Sequence, residues 1–134
     1  MGLLTGKRPH DLGVKDGRLK PPPSSPNAVS SQAQGGYHGI APLAYASTRE
    51  RAMQALAQIV KDTPRTHIVT QTGDYLYVEY TSALLGFVDD VEFWFEPGAK
   101  RIQVRSASRL GYSDFGVNRA RVEDVRRRLQ ATGA

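Results

Sequence analysis

A chain of 134 residues can bury one core, hiding roughly two thirds of the surface its unfolded form exposes, and this one contains no cysteine. That excludes disulfides, thiolate metal sites and cysteine nucleophiles together. Its net charge of +5 is uneven: residues 1–26 carry five basic and two acidic side chains, residues 27–99 four and eight, and residues 100–134 nine and three. An acidic middle between basic ends points to internal pairing at least as much as to an external polyanion. No apolar run reaches the roughly 18 residues of a membrane-spanning helix, so the expectation is a soluble chain, cytoplasmic or exported after removal of a targeting segment.

Residues 1–46 hold six of the eight prolines, Pro9, Pro21, Pro22, Pro23, Pro26 and Pro42, with Gly13, Gly17, Gly35, Gly36 and Gly39 between them. Neither a helix nor a central strand can run far through such a segment. It nevertheless carries Leu3, Leu4, Leu12, Val14, Leu19, Val29, Tyr37 and Ile40, more apolar character than a disordered tail needs. The expectation is an extended Pro/Gly-rich arm over residues 1–46, packed on a domain formed by residues 47–134.

That domain opens on Ser47-Thr48-Arg49-Glu50, whose capping-box form predicts a helix with Ser47 as its N-cap. Ala52, Met53, Leu56, Ala57, Ile59 and Val60 make one apolar stripe at helical spacing, and Pro64 ends the helix by restricting Thr63. His67 to Thr70 and Tyr75 to Tyr80 read as a hairpin across Thr72-Gly73-Asp74. Phe87 to Glu96 and Arg101 to Arg109 read as a second hairpin, turned at Pro97 to Lys100.

The second hairpin has a definable register. If Pro97 and Lys100 close the turn, Phe95 opposes Ile102, Phe93 opposes Val104 and Val91 opposes Ser106 on an apolar face. Glu96 then meets Arg101, Trp94 meets Gln103 and Glu92 meets Arg105 on the other, which is expected to face outward. The same register sets Asp89 against Ser108 on the apolar side, beside Ser106. Buried polar groups need partners, so either the arm supplies them or this end of the sheet is an open polar pocket.

The last helix is expected from Asn118, an N-cap residue type, with Val117 and Val122 as a hydrophobic staple. Val122, Val125 and Leu129 form its inner stripe, and Arg126, Arg127 and Arg128 complement its dipole. The whole reads as an α+β two-layer sandwich: a four-stranded antiparallel sheet with the N-terminal and C-terminal helices on one face, preceded by the arm.

The stretch Val104 to Arg121, VRSASRLGYSDFGVNRAR, leaves a strand, crosses a turn and enters a helix, the kind of rigidly held loop where sites sit. It yields the ligand-binding candidates Arg105, Ser106, Ser108, Arg109, Tyr112, Ser113, Asp114, Asn118 and Arg119, joined by Asp89 across the hairpin. A guanidinium fork matches a carboxylate or phosphate, and helix-opening amides favour anions. Asp114 works against this by neutralising Arg109 or Arg119 internally.

LTGKRPHDLGVKDGRLKPPPSSPNAVSSQ, GFVDDVEFWF and RSASRLGYSDFGVNRARVEDVR resemble, in that order, the hallmark segments of family 1499 of the domains of unknown function, from bacteria and plastid-bearing eukaryotes. The resemblance covers nearly the whole chain. It carries the family pattern onto Asn27, Ser30, Ser31, Asp89, Asp90, Arg105, Ser106, Ser108, Arg109, Tyr112, Ser113, Asp114, Asn118 and Arg119 without a catalytic assignment. Relatives have cysteines where Pro22 and Ala28 stand; the paired loss implies that the two act as a pair there, as a disulfide pinning the arm. The resemblance also implies membrane attachment or export of many relatives through an N-terminal segment.

The function expected is a non-catalytic binding module for an anionic small molecule or an acidic protein patch, with no cofactor and no metal. The hydrolase alternative would use Ser106 or Ser108 with Asp89, or Tyr112 with Asp114. It lacks a general base, because His10, His38 and His67 fall outside any motif spacing. The third reading is nucleic-acid binding through the basic last helix, opposed by the acidic residues around Trp94.

Overall fold

A computed structural model describes residues 6–134, so Leu3 and Leu4 of the expected arm lie outside it. Its elements in chain order are β1 (Ala28–Ser30), β2 (Leu43–Ala44), α1 (Arg49–Lys61), β3 (Thr66–Gln71), β4 (Tyr75–Thr81), β5 (Val88–Phe95), β6 (Arg101–Ser108) and α2 (Val117–Thr132). The fold is mixed α+β with two helices and an antiparallel sheet.

Among the described residues the sheet has six strands, not the expected four, in the order β1-β6-β5-β4-β3 with β2 also on β6. The two additions come from the proline-rich segment, at Ala28↔Ala107 to Ser30↔Arg105 and at Leu43↔Ile102 to Ala44↔Arg101. At three and two residues they fit beside the prolines, Ala28–Ser30 after Pro26 and Leu43–Ala44 directly after Pro42. They cover the outer edge of β6, whose backbone groups would otherwise have been left unpaired.

The β5/β6 register is the one the charge pattern predicts: Asp89↔Ser108, Val91↔Ser106, Glu92↔Arg105, Phe93↔Val104, Trp94↔Gln103 and Phe95↔Ile102. The first hairpin forms as well, with its register broken between Ile68 and Thr70.

The expected outward face is not outward. Every residue of β5 is buried, Trp94 is 8 % exposed and Glu92 is 0 % exposed. Residues of the N-terminal segment close over this face: the Gly13 amide donates to Glu92 Oε1 (2.8 Å), and Arg8 donates through Nε and Nη2 to Glu79 (2.7 and 2.9 Å). Charged residues sit beneath the cover because their partners lie there too.

On the opposite face Met53, Leu56, Ile59 and Val60 of α1 and Val122, Val125 and Leu129 of α2 meet Leu76, Val91, Phe93, Phe95, Ile102 and Val104. Each large side chain buried in this core contributes about 1.5–3 kcal/mol relative to exposure. Both helices are capped away from expectation, α1 one residue later and α2 two residues earlier. Lys100 Nζ holds the carbonyls of Ala46 and Ser47 (2.6 and 2.8 Å), and Thr48, not Ser47, caps α1 by accepting from the Arg51 amide (3.1 Å). At α2 the cap residue is Gly116 at φ 83°, with no side chain to offer, so Asn118 is not the N-cap and Val117 is half exposed in the first turn.

Candidate functional site

Strand alternation sends neighbouring residues of β5 and β6 to opposite sides of the sheet. The expected site residues therefore part into two clusters and an outer turn.

On the helix side lie Asp89, Ser106, Ser108, Asp114 and Asn118. Asn118 is fully buried; its Nδ2 donates to Ser108 Oγ (2.9 Å), the Asn27 carbonyl (3.1 Å) and Asp114 Oδ2 (2.9 Å). Ser106 Oγ donates to Asn118 Oδ1 (2.6 Å), and Arg121 Nη1 donates to both oxygens (3.1 and 2.8 Å). Arg121 Nη2 closes the cluster on Asp89 Oδ2 (2.7 Å), and its guanidinium carbon lies 4.6 Å from the Tyr80 ring centroid. The partners of Asp89, Ser106 and Ser108 thus come from α2, with the carbonyl of Asn27 as the contribution from the N-terminal segment.

Asp114 does the capping expected of Asn118. It accepts from the amides of Gly116 (2.9 Å) and Asn118 (3.3 Å) and from the Tyr37 hydroxyl. Burial pushes its carboxyl up, but the Tyr37, Asn118 and backbone donors outweigh burial and hold it below the ordinary range. The amides of Gly116, Val117 and Asn118 that open α2 are therefore already engaged. Ser106 has the Arg121 donor and the Asn118 amide oxygen around its hydroxyl, and among the described residues no base touches it.

The outer turn holds the rest. Arg119 Nη2 donates to the carbonyls of Tyr37 (2.6 Å) and Gly39 (2.7 Å), Ser113 Oγ accepts from the Phe115 amide (3.3 Å), and Tyr112 is 75 % exposed. The last-helix arginines are engaged with acids of their own helix: Arg126 with Glu123, and Arg127 and Arg128 with Asp124.

Arg105 and Arg109 occupy the other side, under the N-terminal segment. Arg109 donates to Asp90 (Nη2 to Oδ1, 2.6 Å; Nε to Oδ2, 3.1 Å) and to Glu79 Oε2 (2.8 Å). These bonds, Asp90 first, raise its basicity against the opposing effect of burial. Asp114 is not its partner. Tyr77 donates to Asp90 Oδ1 (2.5 Å), and its phenol is pushed up by burial and by that bond. The Arg8 hydrogen bonds, helped by Arg109, lower Glu79 to about 2.

Arg105 is different. Its side chain is 5 % exposed, yet among the described residues it makes no hydrogen bond; its nearest acid is Glu92, with Nη1 to Oε2 at 3.9 Å. Arg105 Nε and Glu92 Oε2 are both buried without a hydrogen-bond partner. The other oxygen, Glu92 Oε1, is taken by Tyr75 (2.6 Å) and the Gly13 amide. Burial raises Glu92 against these donors, and burial lowers Arg105 against the pull of Glu92 and Asp90. Arg105 lines a cavity of about 320 Å³ together with Lys7, Pro9, Lys20, Pro21, Pro23, Asn27, Asp90, Ala107, Ser108 and Arg109.

Sequence reasoning missed Arg121, Glu79, Lys7 and Lys20 as members of these clusters; Asp90 entered only with the family resemblance and Glu92 only as the cross-strand partner of Arg105. Asp90, Glu92, Arg105 and Arg109 share one face of a hairpin whose register was readable, so that half of the signal was present. Lys7 and Lys20 arrive through the path of a non-regular segment, for which periodicity carries no signal. Among the described residues no group of three or more His, Asp or Glu side chains gathers as a metal site, and no helix is long and apolar enough to cross a membrane.

Residues 18–129 match the family model described as "Protein of unknown function (DUF1499)", and the chain belongs to that family. No curated protein and no solved structure matches the chain.

Proposed function

For this member of the DUF1499 family we propose a non-catalytic binding role, in which the cavity between the N-terminal segment and the β5/β6 hairpin holds a small anionic group on Arg105. The single observation that carries the reading is the buried, unbonded guanidinium of Arg105 at that cavity. A buried donor without an acceptor costs about 1–3 kcal/mol, more when charged. An anion supplies the acceptors, and a planar fork of five N–H groups suits carboxylate or phosphate. Arg109, the Arg119 side chain and the amides of Gly116, Val117 and Asn118 have protein acceptors of their own, which leaves Arg105 as the recognition group.

The test is a titration of the isotope-labelled protein with acetate and with inorganic phosphate, followed by amide and arginine Nε–H resonances. Saturable shifts confined to residues 7, 20 and 105–109, lost in Arg105→Gln while the remaining spectrum is kept, are expected. Shifts that persist in Arg105→Gln, or no saturable shift with either probe, overturn the reading. Arg105→Lys serves as the folded control if glutamine is not tolerated, and weakened binding is expected there because the fork is lost.

A further inference from the structure

We infer that the ligand of this cavity is a monocarboxylate with a short apolar body; this rests on the reading above and adds the ligand's charge and shape. The charge follows from the groups around the site. Glu79, Asp90 and Glu92 are matched by Arg8, Arg105 and Arg109, and Lys20 is matched by Asp11 at 2.9 Å. With Glu92 ionised beside Arg105, these sets are neutral. Lys7 remains as the lining cation with no ion pair among the described residues, so the site complements one negative charge.

A second negative charge meets opposition. Asp90 lines the same cavity, and a dianion close to its carboxylate is repelled where burial limits solvent screening. A carboxylate gives Arg105 two coplanar acceptors while adding a single charge.

The shape follows from the remaining wall. Pro9, Pro21, Pro23 and Ala107 supply apolar surface beside the cations, and the volume of about 320 Å³ exceeds what a bare carboxylate needs. An apolar body placed there leaves water, with a gain of about fourfold in affinity for each methylene buried.

The experiment compares dissociation constants for acetate, butyrate and hexanoate with those for methyl and butyl phosphate, at pH 7.5 and constant ionic strength. Butyrate, with two more methylenes, is expected to bind about fifteenfold more tightly than acetate and more tightly than butyl phosphate. Lys7→Gln, an exposed change, is expected to weaken butyrate several-fold. Tighter binding of butyl phosphate than of butyrate overturns the monoanion assignment and leaves the Arg105 site standing. Equal affinity for acetate and butyrate overturns the apolar body. If neither series binds in an Arg105-dependent manner, both readings fall together.

Discussion

Both faces of the β5/β6 hairpin carry buried or half-buried polar residues, Asp89, Ser106 and Ser108 on one and Asp90, Glu92, Arg105 and Arg109 on the other, yet they differ in how fully their polar atoms are used. On the helix side Asn118 alone ties together β6, α2 and the Asn27 carbonyl, and Arg121 completes the hydrogen bonding of Ser106 and Asp89. On the side of the N-terminal segment Glu92 Oε2 and Arg105 Nε, a facing acid and base, are both buried and unmatched, whereas on the helix side the Tyr80 hydroxyl is the one buried polar side-chain atom without a partner among the described residues. A saturated network locks a fold, because any foreign group would have to break bonds to enter. An unsaturated one keeps interaction energy in reserve for a ligand.

The comparison breaks most visibly at Asn118. Asn118→Ala removes the acceptor of Ser106 and Arg121 and the donor to Ser108, Asp114 and the Asn27 carbonyl, leaving several buried groups unpaired. A loss of about 3 kcal/mol is expected from urea unfolding, near the upper end for single substitutions. A loss under about 1 kcal/mol would mean that the helix-side network is not the lock described above.

A smaller effect separates two acids on the side of the N-terminal segment by sign. Glu79 is held at about 2 by Arg8 and Arg109, below its ordinary value of 4.5, so the unfolded chain takes up its proton first as pH falls. Its contribution is therefore complete above the ordinary carboxylate range and disappears as pH falls through about 2. Because Arg8 is half exposed, screening limits the contribution to roughly 1 kcal/mol. Parent and Glu79→Gln should differ by about that much at pH 7 and converge near pH 2 in urea midpoints. Glu92, raised by burial, acts oppositely: its charged form opposes folding as pH rises. A gap between the two proteins that widens on acidification would reverse the assignment for Glu79.

How much of this was legible depends on which interactions are periodic. The β5/β6 register could be read because Val91, Phe93 and Phe95 alternate with acids while Arg101, Arg105 and the apolar Ile102 and Val104 alternate in phase. The α1 stripe was legible for the same reason at a period of 3.6. What escaped was aperiodic. The strands Ala28–Ser30 and Leu43–Ala44 are too short to show alternation, and without them Glu92, Trp94 and Arg105 look like a solvent face. Asn118 looked like a cap because its residue type suits one; its burial between β6 and Asp114 depends on a turn whose Gly116 takes a left-handed conformation.

The mildest change sharpens the comparison further. In Glu92→Gln/Arg105→Met both members of the 3.9 Å pair are replaced by neutral groups of similar length. Buried ion pairs are often replaced at little cost, since desolvation offsets much of their attraction, whereas removing one member strands the other. The double variant should therefore unfold within about 1 kcal/mol of the parent. Arg105→Met alone, which leaves the buried Glu92 carboxylate without a cation, should be less stable than the double. The glutamine can still accept from Tyr75 and the Gly13 amide, so the N-terminal segment keeps its attachment at this point. Butyrate binding should be absent from both variants. A double variant less stable than Arg105→Met would place Arg105 and Glu92 with the structural lock on the helix side; near-parental stability with binding lost separates holding the fold from holding a ligand.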